Sequence, residues 1–102
     1  MESIYLIKST GDSHYKIGVS KNPKNRVKQL QTGNSSPIEL VCEYETKRAY
    51  KIEKILHRRF SYAHKNGEWY DLSVMEESNF LDECAKIDNN ITILENAGNE
   101  FI

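Results

Sequence analysis

The segment that most constrains the fold is residues 3–20, SIYLIKSTGDSHYKIGVS. Two β-rich runs flank a Ser-Thr-Gly-Asp-Ser cluster of turn formers, the pattern of a hairpin with a longer loop. In the second run Tyr15, Ile17 and Val19 share one face while His14 and Lys16 take the other, the two-residue period of a half-buried strand. The first run is apolar on both faces, Ile4 and Leu6 pointing one way and Tyr5 and Ile7 the other. That suits a strand in the middle of a sheet, covered on both sides. With Tyr5 and Tyr15 on the same side, two phenols would lie next to each other on a rigid platform. Gly18 would let another backbone or a ligand approach it.

At 102 residues the chain is expected to form a single domain with one core. It has no apolar run near the roughly 20 residues that cross a bilayer, and no charged-then-apolar leader, so no membrane partner and a cytoplasmic location are expected. Cys42 and Cys84 sit among apolar neighbours without metal-ligand spacing, which reads as buried free thiols rather than a disulfide or a zinc site. The net charge of −1 hides an asymmetry: residues 1–66 hold thirteen Lys/Arg against six Asp/Glu, residues 67–102 one against nine. A basic front with an acidic back suggests a surface that meets phosphate on one side only.

After the hairpin, Asn22 and Pro23 read as N-cap and first residue of a short helix that Gly33 ends, with Val27 and Leu30 as its buried stripe. Arg26 flanks that stripe, one turn before Leu30. Pro37 precedes IELVCEYE, where Ile38, Leu40, Cys42 and Tyr44 alternate with a mainly acidic face. The alternation predicts a strand that adds to the hairpin to give three antiparallel strands. Thr46 is a candidate cap for a helix whose stripe is Ala49, Ile52, Leu56 and Phe60. Glu53 and His57 lie alongside this stripe. A carboxylate there needs a partner: His57 at i+4, a lysine or arginine, or a metal ion. Lys51, Lys54, Arg58 and Arg59 make the outer face basic, as a phosphate-tracking surface would be. The Asn66-Gly67 turn leads to a short strand over 68–72. Ser73 with Glu76 reads as a capping box opening a helix through about Ile87, with Phe80, Leu81, Cys84 and Ala85 inward. Asp88-Asn89-Asn90 is expected to end it, with Ile91 to Leu94 as a last strand or docked arm and a frayed tail beyond.

In chain order the set is Ser3-Ile4-Tyr5, Tyr15-Lys16-Ile17-Gly18, Arg26 with Leu30-Gln31-Thr32-Gly33-Asn34, Glu53 with Leu56-His57, and Gly67-Glu68-Trp69-Tyr70. From about residue 3 to about residue 72 this resembles a GIY-YIG nuclease domain, in particular the compact branch found in bacteriophages and large DNA viruses. The C-terminal helix and tail, 73–102, lie outside the match.

The resemblance implies an α+β fold: a small antiparallel three-stranded sheet flanked by helices, with an extra short strand and a C-terminal helix. It also implies metal-dependent hydrolysis of DNA phosphodiesters. By that likeness Tyr5 would stand at the nucleophilic water, Tyr15 would orient water or phosphate, Arg26 would hold the scissile phosphate, and Glu53 would be the sole protein ligand of one magnesium or manganese ion. His57 would be an auxiliary base or a partner of that carboxylate. Lys16, Lys24, Lys28, Lys51, Lys54, Arg58 and Arg59 would contact DNA. A guanidinium and a divalent cation are suited to the charge a phosphodiester gathers on its non-bridging oxygens. Ser3 replaces the first-motif glycine, Leu30 stands where some relatives carry a titratable residue, and no late asparagine matches. One site per monomer or weak dimer predicts nicking of one strand per event. The alternative is a DNA-binding or regulatory module of the same shape that does not cut, and a targeting partner is a further expectation, since no sequence-reading motif is present.

Overall fold

The computed structural model of the protein describes residues 1–11, 14–65 and 69–98. Asp12 and Ser13 of the hairpin turn, Asn66 to Glu68 and the last four residues lie outside the described set. Strands β1 (Glu2–Ser9) and β2 (His14–Ser20) form the expected hairpin, in which Tyr5 pairs with Gly18 and Lys8 with Tyr15. β3 (Ile38–Thr46) adds antiparallel to β1, and the short β4 (Trp69–Tyr70) adds to β2, giving one sheet in the order β3-β1-β2-β4. β1 lies inside the sheet because both its faces are apolar. Ile4 and Leu6 enter one buried cluster, Tyr5 and Ile7 another on the opposite face.

β3 departs from the simple alternation. Leu6 of β1 opposes Cys42 and Ile7 opposes Leu40, so Val41 is an extra residue at a bulge. The extra residue changes which face the strand presents. Ile38 and Leu40 pack with Tyr5 and Ile7, whereas Val41, Cys42 and Tyr44 pack with Ile4 and Leu6. The expectation of one apolar face along the whole strand is therefore corrected: β3 contributes to both cores.

Helix α1 (Pro23–Thr32) starts as its sequence dictates, with the Asn22 side chain accepting from the Asn25 amide and Pro23 at the first position. Its half-buried Val27 and Leu30 lie on the Tyr5 face of the sheet. Helix α2 (Ala49–Arg59) covers the other face through Ala49, Ile52 and Leu56, followed by a 3₁₀ turn, Ser61–Ala63. Its N-cap is Arg48 rather than Thr46. Thr46 closes β3, and its hydroxyl accepts from the Arg48 amide at 3.1 Å.

The C-terminal region is longer in helix than its residues suggest. The Ser73–Glu76 capping box is present, but it opens only the short α3 (Val74–Ser78). After Asn79, α4 runs through Phe80–Asn96, so Asp88-Asn89-Asn90 do not end a helix and Ile91 to Leu94 form no strand. The buried face of α4 is Phe80, Cys84, Ile87 and Ile91, while Leu81 and Ala85 are exposed. Asp88 does not break the helix because it is engaged: its Oδ2 accepts from the Tyr44 and Thr46 hydroxyls, both at 3.0 Å, and its Oδ1 pairs with Arg48 at 3.3 Å. Both cysteines are free thiols, pushed up by burial to about 11 for Cys42 and about 12 for Cys84. Among the described residues, no helix is long and apolar enough to cross a membrane.

Candidate active site at the edge of strand β2

Tyr5 and Tyr15 do not meet. Tyr5 pairs with Gly18 and Tyr15 with Lys8, and the two-residue period then sends the phenols to opposite faces of the sheet. The expected side-by-side pair of phenols is corrected here. Tyr15 faces α3, where its hydroxyl donates to Glu77 Oε1 at 2.6 Å and Lys8 stands 5.6 Å from its ring centre. Burial and the Glu77 carboxylate both push the Tyr15 phenol up, away from the range of a ready proton acceptor.

The β2 residue on the Tyr5 face is Lys16. In the ladder it lies between Ile7 of β1 and Trp69 of β4, and these neighbours cover its stem, leaving it 6% exposed. Two residues along the same face Gly18 has no side chain, and the Tyr5 ring occupies that space. Tyr5 and Lys16 are thus neighbours on a rigid surface, at the place where two tyrosines were expected. The signal was available in the sequence: in Tyr-Lys-Ile-Gly, only the residue two before the glycine shares its face.

Arg26 and Glu53 approach this surface from opposite sides of the sheet. α1 packs on the Tyr5 face through Val27, which sets the half-buried Arg26 next to the lysine. Burial is the main cause that lowers the Lys16 ammonium below the usual lysine range, the Arg26 guanidinium lowers it further, and the Glu53 carboxylate opposes both. α2 packs on the other face, from which the Glu53 carboxylate still acts electrostatically on Lys16. Its carboxyl is raised by burial, against the pull of His57 and Lys16. His57 is fixed to the same strand. Its Nε2 lies 3.0 Å from the Ile17 carbonyl, which can only accept, so the ring carries its proton on Nε2. Tyr70 stacks on the imidazole at 5.6 Å between centres. Tyr5, Lys16 and Arg26 therefore share one side of β2, while Glu53, His57 and Tyr15 belong to the face that α2 covers, with the Tyr15 hydroxyl turned to Glu77.

Whether this set suits a divalent cation turns on Glu53. Its carboxylate is held above the ordinary range although two cationic or ionisable neighbours face it, so its negative charge is under-compensated where it sits. A divalent ion would supply the missing compensation. Among the described residues no group of three or more His, Cys, Asp or Glu side chains could hold a metal. One carboxylate oxygen and several waters would have to suffice, a coordination magnesium favours.

Of the basic residues expected to contact DNA, Lys16 is buried and the other six divide into two groups. Lys24 and Lys28 are exposed on α1, on the Tyr5 side, and Lys54 and Arg58 are exposed on α2. Arg59 is paired with Glu83, and Lys51 with Glu95 at 3.2 Å, so acids of α4 are laid on part of the α2 face. Much of the charge asymmetry is an internal matter, with the acidic C-terminal helix answering the cations of α2.

Neither the curated proteins nor the solved structures include a match to the chain. A family model does match: that of the T5orf172 domain, over residues 2–88. That domain is GIY-YIG-like and nuclease-associated, and occurs in phages and mobile elements. The matched span contains the whole sheet, α1, α2 and every residue gathered around β2. The chain belongs to the T5orf172 domain family.

Proposed function

We propose that the protein is a GIY-YIG-type endonuclease that hydrolyses DNA phosphodiesters with one divalent ion, magnesium or manganese, nicking one strand per event. The observation that carries this reading is Lys16, a buried ammonium beside Tyr5 that feels both Arg26 and Glu53. A module that only bound DNA would need exposed cations, not a half-buried carboxylate coupled electrostatically to a buried lysine.

In this reading Arg26 grips the scissile phosphate, its planar fork matching two phosphate oxygens. Lys16 presents a fixed positive charge where the non-bridging oxygens become more negative, and its setting between Ile7 and Trp69 means it does not reorganise as that charge develops. Tyr5, held over Gly18, orients the attacking water through its hydroxyl oxygen. Glu53 would hold the ion, which supplies Lewis-acid activation and charge neutralisation when bound. His57 positions Glu53 from a ring locked by Tyr70 and the Ile17 carbonyl. Lys24, Lys28, Lys54 and Arg58 would follow the flanking backbone.

A plasmid-nicking assay with magnesium tests the proposal. Wild type should give an open-circle product before any linear form, and Glu53→Ala should lose at least about 100-fold in rate. If both proteins bind DNA and neither cuts under any divalent metal, the chain is a silent binding module.

A further inference from the structure

The contact between α2 and the last turn of α4 has the form of an occupied anion site. Arg48 Nε donates to Glu95 Oε1 at 2.8 Å, its Nη2 lies 2.7 Å from the same oxygen, and Lys51 Nζ lies 3.2 Å from Glu95 Oε2. Both oxygens of one carboxylate are thus held, by a guanidinium and an ammonium. Lys47 and Tyr50 line the same cavity of about 280 Å³. A guanidinium fork receives phosphate in the geometry in which it receives carboxylate.

Two observations separate the receptor from its occupant. Arg48 is also held by Asp88 at 3.3 Å, and Asp88 is itself fixed by Tyr44 and Thr46, so part of the guanidinium's hold is independent of Glu95. Glu95 has no such support. The last buried residue of α4 is Ile91, and beyond it Ile93 and Leu94 are 56% and 39% exposed. Beyond its helical hydrogen bonds, the turn that carries Glu95 is tied to α2 by these ion pairs, and helix ends with so little burial open readily. The family match ends at residue 88, so it includes Arg48, Lys51 and Asp88 and excludes Glu95.

We propose that Lys47 and Arg48, just before α2, and Lys51 on it form a second phosphodiester site, and that Glu95 is its resident carboxylate stand-in, displaced when a nucleic-acid backbone binds. This rests on the nucleic-acid reading of the Glu53 site, which lies on the same helix. The C-terminal turn then acts as a charge-matched cover that weakens binding until DNA competes it away.

Fluorescence anisotropy of the full chain on a short DNA duplex, in EDTA so that nothing is cut, tests the idea across a salt series. Glu95→Gln should bind about 3- to 10-fold tighter than wild type, with a salt slope steeper by about one to two, because two cations become available to phosphate. Lys51→Ala should cost little in wild type and much of the gain in the Glu95→Gln background. Equal affinity and equal slope for wild type and Glu95→Gln, with the melting temperature confirming that both fold, would make the contact a simple ion pair and overturn the proposal. Failure of both proteins to bind DNA at all would instead overturn the nucleic-acid reading, and this second site with it.

Discussion

Tyr5 rests on Gly18: a methyl group built on the glycine would lie 2.2 Å from the Tyr5 hydroxyl oxygen and 2.4 Å from its Cζ. The two residues pair across the hairpin, and Tyr5 is 3% exposed, so the ring is enclosed by the fold around it. The glycine is required here by close approach of a side chain.

Gly18→Ala should therefore displace the phenol and strain the core beneath it. The expected cost is about 1–3 kcal/mol of stability, as for other overpacked sites, together with loss of cleavage. Tyr5→Phe keeps the packing and should lose cleavage with little change in melting temperature. Wild-type melting and nicking in Gly18→Ala would show that the ring does not lie over Gly18.

Lys16 and Tyr15 are neighbours in sequence with opposite fates, and the contrast is testable. Lys16→Met keeps the length of the side chain and removes the charge. Cleavage should fall by about 100-fold or more, while stability holds or rises, since burial already disfavours the charged form. Tyr15→Phe should lose only the hydrogen bond to Glu77, about 1 kcal/mol, and leave the nicking rate unchanged. Chemical denaturation and initial-rate nicking on the two variants give the comparison. The opposite pattern, with Tyr15→Phe inactive and Lys16→Met active, would return the catalytic role to the phenol.

How much of this was legible follows from what each signal measures. The hairpin, the central β1, the caps of α1 and the buried stripe of α2 are local patterns, and the structure has them where the residues place them. The faces of Tyr15 and Lys16 are separated by one residue of register, and a motif quoted as a string of letters does not carry register; pairing with β1 does. The bulge at Val41 depends on fitting β3 to β1 and has no local signature in Leu-Val-Cys. The length of α4 was missed because Asp88-Asn89-Asn90 are poor helix formers taken alone. Tertiary contacts override that preference: Tyr44, Thr46 and Arg48 occupy Asp88, and Ile87 and Ile91 are buried on either side of it.

Two carboxylates, Glu53 on α2 and Glu95 of α4 paired with Arg48 and Lys51, should give opposite pH signatures. Glu53 is held above its ordinary range by burial, so the fold favours its protonated form. Its contribution is fully present below the unfolded carboxyl pKa and is lost as pH rises through the folded one. In EDTA, Glu53→Gln should thus melt above wild type at neutral pH, and the gap should close in acid. Glu95 is held below its ordinary range, chiefly by its hydrogen bond from Arg48 and then by that from Lys51. Its contribution is present above the unfolded carboxyl pKa and is lost as pH falls through the folded one. Glu95→Gln should melt slightly below wild type at neutral pH, and this gap too should close in acid. Magnesium then separates the two residues by function. Added to wild type it should raise the melting temperature by mass action on the folded state, with the shift growing with the logarithm of metal concentration. Glu95→Gln should keep that shift and Glu53→Gln should lose it, because only Glu53 offers the ion a carboxylate beside Lys16 and His57. A magnesium shift that survives Glu53→Gln would place the ion elsewhere on the protein.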